Sequence, residues 1–204
     1  MVIDSKNADI TSANISLVRP HLGDPSTAHA LPEGYTLRRL EHADEPQLAQ
    51  LLNLAFGGTW DEARVRDALT GAPDVGAVYG VVRDGELVAT ASSQSRPERD
   101  PAAGFVHWLA AHPEHRSRGL ARALLGRIIE DFRGRGYACA RLDTQPERLP
   151  AIRAYLKFGF VPVYETGGDP EDQKAVWSIV FQTLTGAAGH RLADDAEPVQ
   201  TPRA

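Results

Sequence analysis

Cysteine is nearly missing from this chain. Cys139 is the only one among 204 residues, so no internal disulfide can form. That fits a reducing compartment, and a cytoplasmic location is expected. No apolar run approaches the ~20 residues of a membrane-spanning helix, so no membrane partner is expected. The opening residues, Met-Val-Ile-Asp-Ser-Lys, lack the charged-then-apolar order of a secretion signal. Basic blocks are also lacking, and the net charge is −5, which argues against a nucleic-acid partner. No internal repeat recurs along the chain.

What is present suffices for one domain with a sizeable core. Residues 1–32 are mixed and mostly polar, with Pro20, Gly23, Pro25 and Pro32, and read as an N-terminal extension. Residues 33–183 read as the folded domain. Residues 184–204 run into an acidic, proline-containing end expected to be a disordered tail. Within the domain, strand and helix signals alternate. Tyr35–Leu40 reads as a strand. Leu48, Leu51, Leu52 and Ala55 mark one face of a helix, and Thr59 with Glu62 reads as a capping box opening a second, short one. Two strands, 78–83 and 87–91, flank Asp84-Gly85 as a hairpin. Further strands are expected over 104–111, 138–142 and 175–180. The expected order is β-α-α-β-β-β-α-β-α-β-β.

The chemistry concentrates between Phe105 and Phe160. Arg116-Ser117-Arg118-Gly119-Leu120-Ala121 lies between the apolar run 104–111 and an amphipathic helix whose apolar residues are Ala121, Leu124, Leu125, Ile128 and Phe132. A turn rich in arginine and glycine that opens a helix leaves backbone N–H groups unpaired, with the positive end of the helix dipole behind them. It is a cradle for phosphate. One glycine in a strand-to-helix turn serves packing equally often. Farther on, Pro150-Ala-Ile-Arg-Ala-Tyr-Leu-Lys-Phe-Gly-Phe160 reads as a short helix with proline near its first turn and Gly159 beyond its end.

These three ordered segments resemble the GNAT superfamily of N-acetyltransferases. The family's [QR]-x-x-G-x-[GA] signature is matched by Arg116, Gly119 and Ala121. The approach to it, Leu109-Ala-Ala-His-Pro-Glu-His-Arg116, resembles the family's "L-A-V-x-P-E-x-R". The closing "A-I-x-x-Y-x-x-x-G-F" is matched by Ala151, Ile152, Tyr155, Gly159 and Phe160. The motif-bearing half runs over about 104–163, and a looser likeness over about 34–180. One departure stands out: where many members carry an asparagine that contacts the cofactor, this chain has Arg148.

The resemblance implies a mixed α/β fold, with a mostly antiparallel central sheet flanked by helices and its fourth and fifth strands splayed around pantetheine. It implies acetyl-CoA as co-substrate, or another acyl-CoA or pantetheine thioester, and direct transfer to a primary amine. The expected cofactor contacts are Leu109, Ala110 and Ala111 on the strand, Arg116, Ser117, Arg118, Gly119, Leu120, Ala121 and Arg122 at the turn, and Arg148. The Leu109 amide is expected to bind the thioester oxygen, and the peptide groups of Ala111 the pantetheine. Tyr155 matches the family's acid, which protonates the departing thiolate. His107, two residues before the matching leucine, matches the base of the serotonin N-acetyltransferase branch. Side-chain alternation puts His107, Leu109 and Ala111 on one face, and histidine titrates near neutrality, which suits proton removal. Phe56 and Trp60 lie on the loop the family folds over its acceptor.

Each assignment has a structural rival. His107 can be a hydrogen-bonded core residue, and Tyr155 an amphipathic packing residue. Trp60 can belong to the core, and Cys139 reads as a small buried residue rather than an acetyl carrier. His112 and His115 mimic metal spacing, but no further ligand set accompanies them, and no metal is expected. Glu165, Asp169, Glu171 and Asp172 read as a solvated acidic loop between the last two strands, able to draw in a cationic acceptor. Two readings compete with acetyl-CoA-dependent transfer. One is an acyltransferase fed by a carrier-protein-bound pantetheine, which would dock an acyl carrier protein. The other is a non-catalytic acyl-CoA-binding sensor or partner module. The acceptor is a small-molecule or peptide amine, and the protein a monomer or homodimer.

Overall fold

The computed structural model describes residues 14–23, 30–165, 169–185 and 199–200. They divide into two compact units, one of residues 20–140 and one of residues 1–19 with 141–204. The chain passes from the first to the second within a single strand.

In the unit of residues 20–140, β2 (Tyr35–Arg39), β3 (Val75–Arg83), β4 (Glu86–Ser95) and β5 (Ala103–Ala111) pair antiparallel in that order. Asp84 and Gly85, both at positive φ, close the β3–β4 hairpin as a two-residue turn suited to the right-handed twist of the strands. Helix α1 (Glu45–Phe56) lies on one face of this sheet and α3 (Leu120–Gly134) is the longest helix of the unit. Leu48, Leu51 and Leu52 of α1 pack with Val78, Leu87 and Ala110, as their helical spacing predicts. The short α2 (Glu62–Val65) continues into one wider turn, Arg66–Thr70. Its cap is Asp61, whose carboxylate accepts from the Arg64 N–H, and not Thr59. An aspartate one residue before the helix competes better for the free N–H groups than a threonine placed farther out.

At the α1 N-terminus Glu45 is buried and holds three partners. Thr70 Oγ1, Arg66 Nη2 and the His42 ring lie at 2.5, 2.6 and 2.7 Å from its oxygens. Burial pushes the carboxyl up, but the hydrogen bonds from Thr70, His42 and Arg66, with the Arg66 charge, outweigh it and hold the group at about 2.

In the other unit, β6 (Cys139–Thr144), β1 (Ile15–Arg19), β7 (Val161–Tyr164) and β8 (Val199–Gln200) lie in that order. β1 is antiparallel to β7, and β8 is parallel to it. A piece of the expected N-terminal extension is thus an interior strand: Leu17 faces Pro162, and Ser16 Oγ donates to Asp143 at 2.8 Å. The expected tail contributes β8, and residues 186–198 lie outside the described residues.

The predicted strand over 175–180 is a helix instead, α5 (Pro170–Thr185). Asp169 caps it by accepting from the N–H groups of Glu171 and Asp172. Val176, Trp177, Val180 and Leu184 are buried at helical spacing, while Ser178 and Ile179 are exposed. Asp169, Glu171 and Asp172 therefore belong to a helix start, where the dipole favours acids, rather than to a loop between strands. Cys139 is half-buried, not a core residue, because Ala140 and Leu142 take the interior positions of β6.

Candidate active site

Strand β5 carries a bulge. Ser92 pairs with His107 and Thr90 with Ala110, so Ala91 alone faces both Trp108 and Leu109. Trp108 sits at φ 47°, a left-handed conformation that non-glycine residues adopt only where the surroundings enforce it. The bulge overturns the expected alternation. His107 and Ala110 share one face, that of Ser92 and Thr90, while Ala111 falls on the other face with Val106. Beyond the bulge, the His112 N–H donates to Val88 O at 2.8 Å. Ladder alternation then turns the peptide groups of Ala111 away from β4.

His107 is half-buried, with its carbonyl accepting from Ser92 Oγ at 3.0 Å and its ring centroid 5.1 Å from that of Trp108. Trp108 in turn meets Phe56 and Trp60 edge-to-face, at 5.2 and 4.7 Å. Trp60 is buried and Phe56 half-buried. The two acceptor-loop candidates and the base candidate thus share one aromatic neighbour, which sequence reading passed over. Trp108 Nε1 is buried and has no hydrogen-bond partner among the described residues. Arg64 lies over the Trp60 ring, 4.3 Å from its centroid.

After β5 the chain makes a single tight turn, Pro113–His115, and then the predicted cradle. Ser117 and Gly119 both have positive φ, 61° and 82°. Gly119 is the N-cap of α3 and offers no capping side chain. The first helical N–H groups returning to it are those of Arg122 and Ala123, at 3.1 Å. A Cβ built on Gly119 meets nothing within 4 Å, so the space over this backbone is open. Exposed, uncapped N–H groups at the start of a 15-residue helix suit an anion. The arginines of the turn fold back on it: Arg116 Nε and Arg118 Nη2 each lie 3.4 Å from a backbone oxygen, of Ala111 and Glu114. Leu120 is buried and Ala121 half-buried, and Arg122 Nε is buried with no hydrogen-bond partner among the described residues.

Tyr155 lies on α4 (Leu149–Lys157) in the other unit. It is buried, and burial pushes its phenol up to about 12, with a small opposing pull from the Arg148 charge. Its ring meets Phe160 edge-on at 6.0 Å, and its carbonyl accepts from the Phe160 N–H at 3.1 Å beyond the helix end. Arg148, the N-cap residue of α4, donates from Nε to Gln145 Oε1 at 2.7 Å. The Nδ1 atoms of His112 and His115 are engaged within the protein, with the Glu114 N–H and the Tyr35 hydroxyl.

Comparison with known proteins bears on these arrangements. Mycothiol acetyltransferase of Beutenbergia cavernae is 31% identical over 145 residues, 67% of this chain and 48% of that one. The [ribosomal protein bS18]-alanine N-acetyltransferase of Escherichia coli is 29% identical over 128 residues, 61% of this chain and 80% of that one. Rat N-acetyltransferase 8B is 30% identical over 91 residues, 43% and 40%. The chain spans about half the length of the rat and mycothiol relatives. Among solved structures, a GNAT-family protein from Novosphingobium aromaticivorans superposes with a TM-score of 0.54 at 27% identity, over 74% of this chain and 61% of that one. The Escherichia coli ribosomal-protein-S18-alanine enzyme shares the fold with a TM-score of 0.52 at 23% identity, over 61% and 76%. They share a mixed α/β architecture, mostly antiparallel and flanked by helices. The sequence model described as the acetyltransferase (GNAT) family matches residues 45–160, from the first residue of α1 through the bulge, the Gly119 turn and Tyr155 to Phe160, and the chain belongs to that family.

Proposed function

We propose that this protein is an N-acetyltransferase that moves an acetyl group from acetyl-CoA directly to a primary amine. The uncapped, open Gly119 turn inside the family-matched segment carries this reading. In it, the backbone from Arg116 to Ala121 holds the CoA diphosphate, with Arg122 and Arg148 as further polar contacts. The peptide groups of Ala111, turned away from β4, pair with pantetheine. The Leu109 amide, within the bulge, binds the thioester oxygen as negative charge develops there.

Tyr155 is the acid. A phenol held at about 12 keeps its proton at every working pH. It therefore enters the reaction protonated, with the hydrogen to give to the departing thiolate. His107 is the base for the acceptor ammonium, directly or through water. Phe56 and Trp60 line the acceptor side.

The relatives' names point to different chemistry, mycothiol in one and a ribosomal-protein alanine in another. The test therefore starts from the donor. Calorimetry with CoA is followed by thiol release from acetyl-CoA against a panel of amino acids, polyamines, amino sugars and N-terminal peptides, with each product weighed by mass spectrometry. Saturable CoA binding and a product heavier by one acetyl group are expected. A folded protein that does not bind CoA overturns the reading, and one that binds CoA but acetylates nothing favours the sensor alternative.

A further inference from the structure

Tyr35, the first residue of β2, is buried although its hydroxyl is polar. Arg83, its direct cross-strand partner at the end of β3, donates from Nη1 to that hydroxyl at 2.9 Å and lies over the ring, 5.0 Å from its centroid. The hydroxyl is also 2.9 Å from Nδ1 of His115, and the two rings meet edge-on at 5.7 Å. A guanidinium only donates, so the phenol oxygen accepts from Arg83 and its one hydrogen is left for a neutral imidazole. Three residues brought together from β2, β3 and the turn after β5 form one hydrogen-bonded chain.

His115 stands one residue before the cradle. It is the last residue of the tight turn, and its own N–H donates to His112 O at 2.9 Å. Downstream, Ser117 is held at φ 61° without being glycine. Such a conformation costs roughly 1–2 kcal/mol and persists only where neighbouring contacts enforce it. On the α3 side the helix fixes the turn. On the other side the backbone bond of Arg116 to Pro113 O is long, 3.4 Å, and the Arg116 and Arg118 side-chain contacts are equally long and exposed. Among the side-chain contacts of this turn, the Tyr35–His115 bond, at 2.9 Å, is shorter than those of Arg116 and Arg118 and is half-buried.

We infer that Tyr35, held by Arg83, is a positioning residue for the cofactor turn: it fixes His115, and with it the backbone from Arg116 to Gly119. This rests on the proposal that the turn binds CoA. The spacing of His112 and His115, which mimics a metal motif, then has a mechanical meaning: one closes the turn and the other anchors it to the sheet.

The test is calorimetric titration of CoA into the full chain, with thermal melting alongside. Tyr35→Phe keeps the ring and removes the hydroxyl, and is expected to weaken CoA binding roughly tenfold, the scale of one hydrogen bond. His115→Leu should weaken it equally, and the double variant no further, because both remove the same link. His115→Asn keeps an acceptor near the position of Nδ1 and should restore most of the affinity. A purely structural bond would lower the melting temperature and leave CoA affinity alone. Wild-type affinity in folded Tyr35→Phe, additive losses in the double variant, or His115→Asn as weak as His115→Leu each overturn the inference. If Tyr35→Phe does not fold, the two variants at the half-buried His115 decide. Wild-type protein that binds no CoA overturns the function itself, an outcome distinct from the others.

Discussion

Asn53 holds Trp60 by both of its backbone polar groups. Its Nδ2 donates to Trp60 O at 2.8 Å, and the Trp60 N–H donates to its Oδ1 at 2.7 Å. The amide closes the glycine-containing loop that leaves α1 and presses Trp60 against Trp108. Asn53→Asp keeps the acceptor and loses the donor, while Asn53→Leu loses both. We expect a stability loss of roughly 1 kcal/mol for the first and 2–3 kcal/mol for the second, since two buried backbone groups are then left unpaired. Melting curves measure this. CoA affinity should stay unchanged in both, and the acceptor KM should rise. A loss of CoA affinity would show that the loop serves the donor.

At Gly119 a side chain would project into open space from a left-handed backbone. Gly119→Ala is expected to cost about 1 kcal/mol of stability from the positive φ alone. Gly119→Val, which fills the space where a phosphate approaches, should abolish measurable CoA binding. Calorimetry on the two variants separates strain from obstruction. Unchanged affinity in folded Gly119→Val would place the diphosphate elsewhere.

For Tyr155, replacement by phenylalanine keeps the contact with Phe160 and removes the proton. Turnover should fall roughly 10²-fold with CoA affinity nearly intact. Single-turnover mixing is the measurement, because slow product release can mask the chemical step. With the phenol held at about 12, no loss of activity from its ionisation should appear up to about pH 10. An alkaline fall that Tyr155→Phe removes would contradict that environment.

If His107 takes the acceptor's proton, His107→Gln should lower turnover roughly 10²-fold while leaving CoA binding intact. Added imidazole should restore part of the rate in His107→Ala but not in the wild type. Equal rates in wild type and His107→Gln would move proton removal to water or to the substrate.

Glu45 sets a pH dependence of stability that does not involve the site. Its carboxyl is held at about 2, below the ordinary 4.5. A depressed carboxylate contributes stability that is complete above its unfolded value and is lost as the pH falls from about 4.5 towards 2. Melting temperature should therefore drop across that window in the wild type and drop less in Glu45→Gln. At pH 7 Glu45→Gln should be the less stable protein by roughly 1–3 kcal/mol, from weakened hydrogen bonds to a buried charge. Parallel melting profiles for the two proteins would assign the acid sensitivity to other carboxylates.

What could be read from sequence was local. The Gly119 turn with α3, α1, the Asp84-Gly85 hairpin and α4 are each specified by residues within a turn or two of one another, through helical spacing, glycine and proline placement, and turn chemistry. The start of α5 was equally legible in Asp169-Pro170-Glu171-Asp172, a cap, a first-turn proline and two dipole-favoured acids, but the β-branched run that follows reads as a strand when taken alone. The remaining features needed partners distant in sequence. The β5 bulge is invisible along its own strand, because only the register against β4 shows Ala91 facing two residues, and that register decides which way His107 points. Ile15–Arg19 becomes an interior strand only because β7 offers it a ladder. Tyr35 and His115 are 80 residues apart, and nothing in either neighbourhood announces the other. Local preference selects elements, but the satisfaction of buried polar groups, a phenol here and a tryptophan backbone there, is settled only when those elements pack.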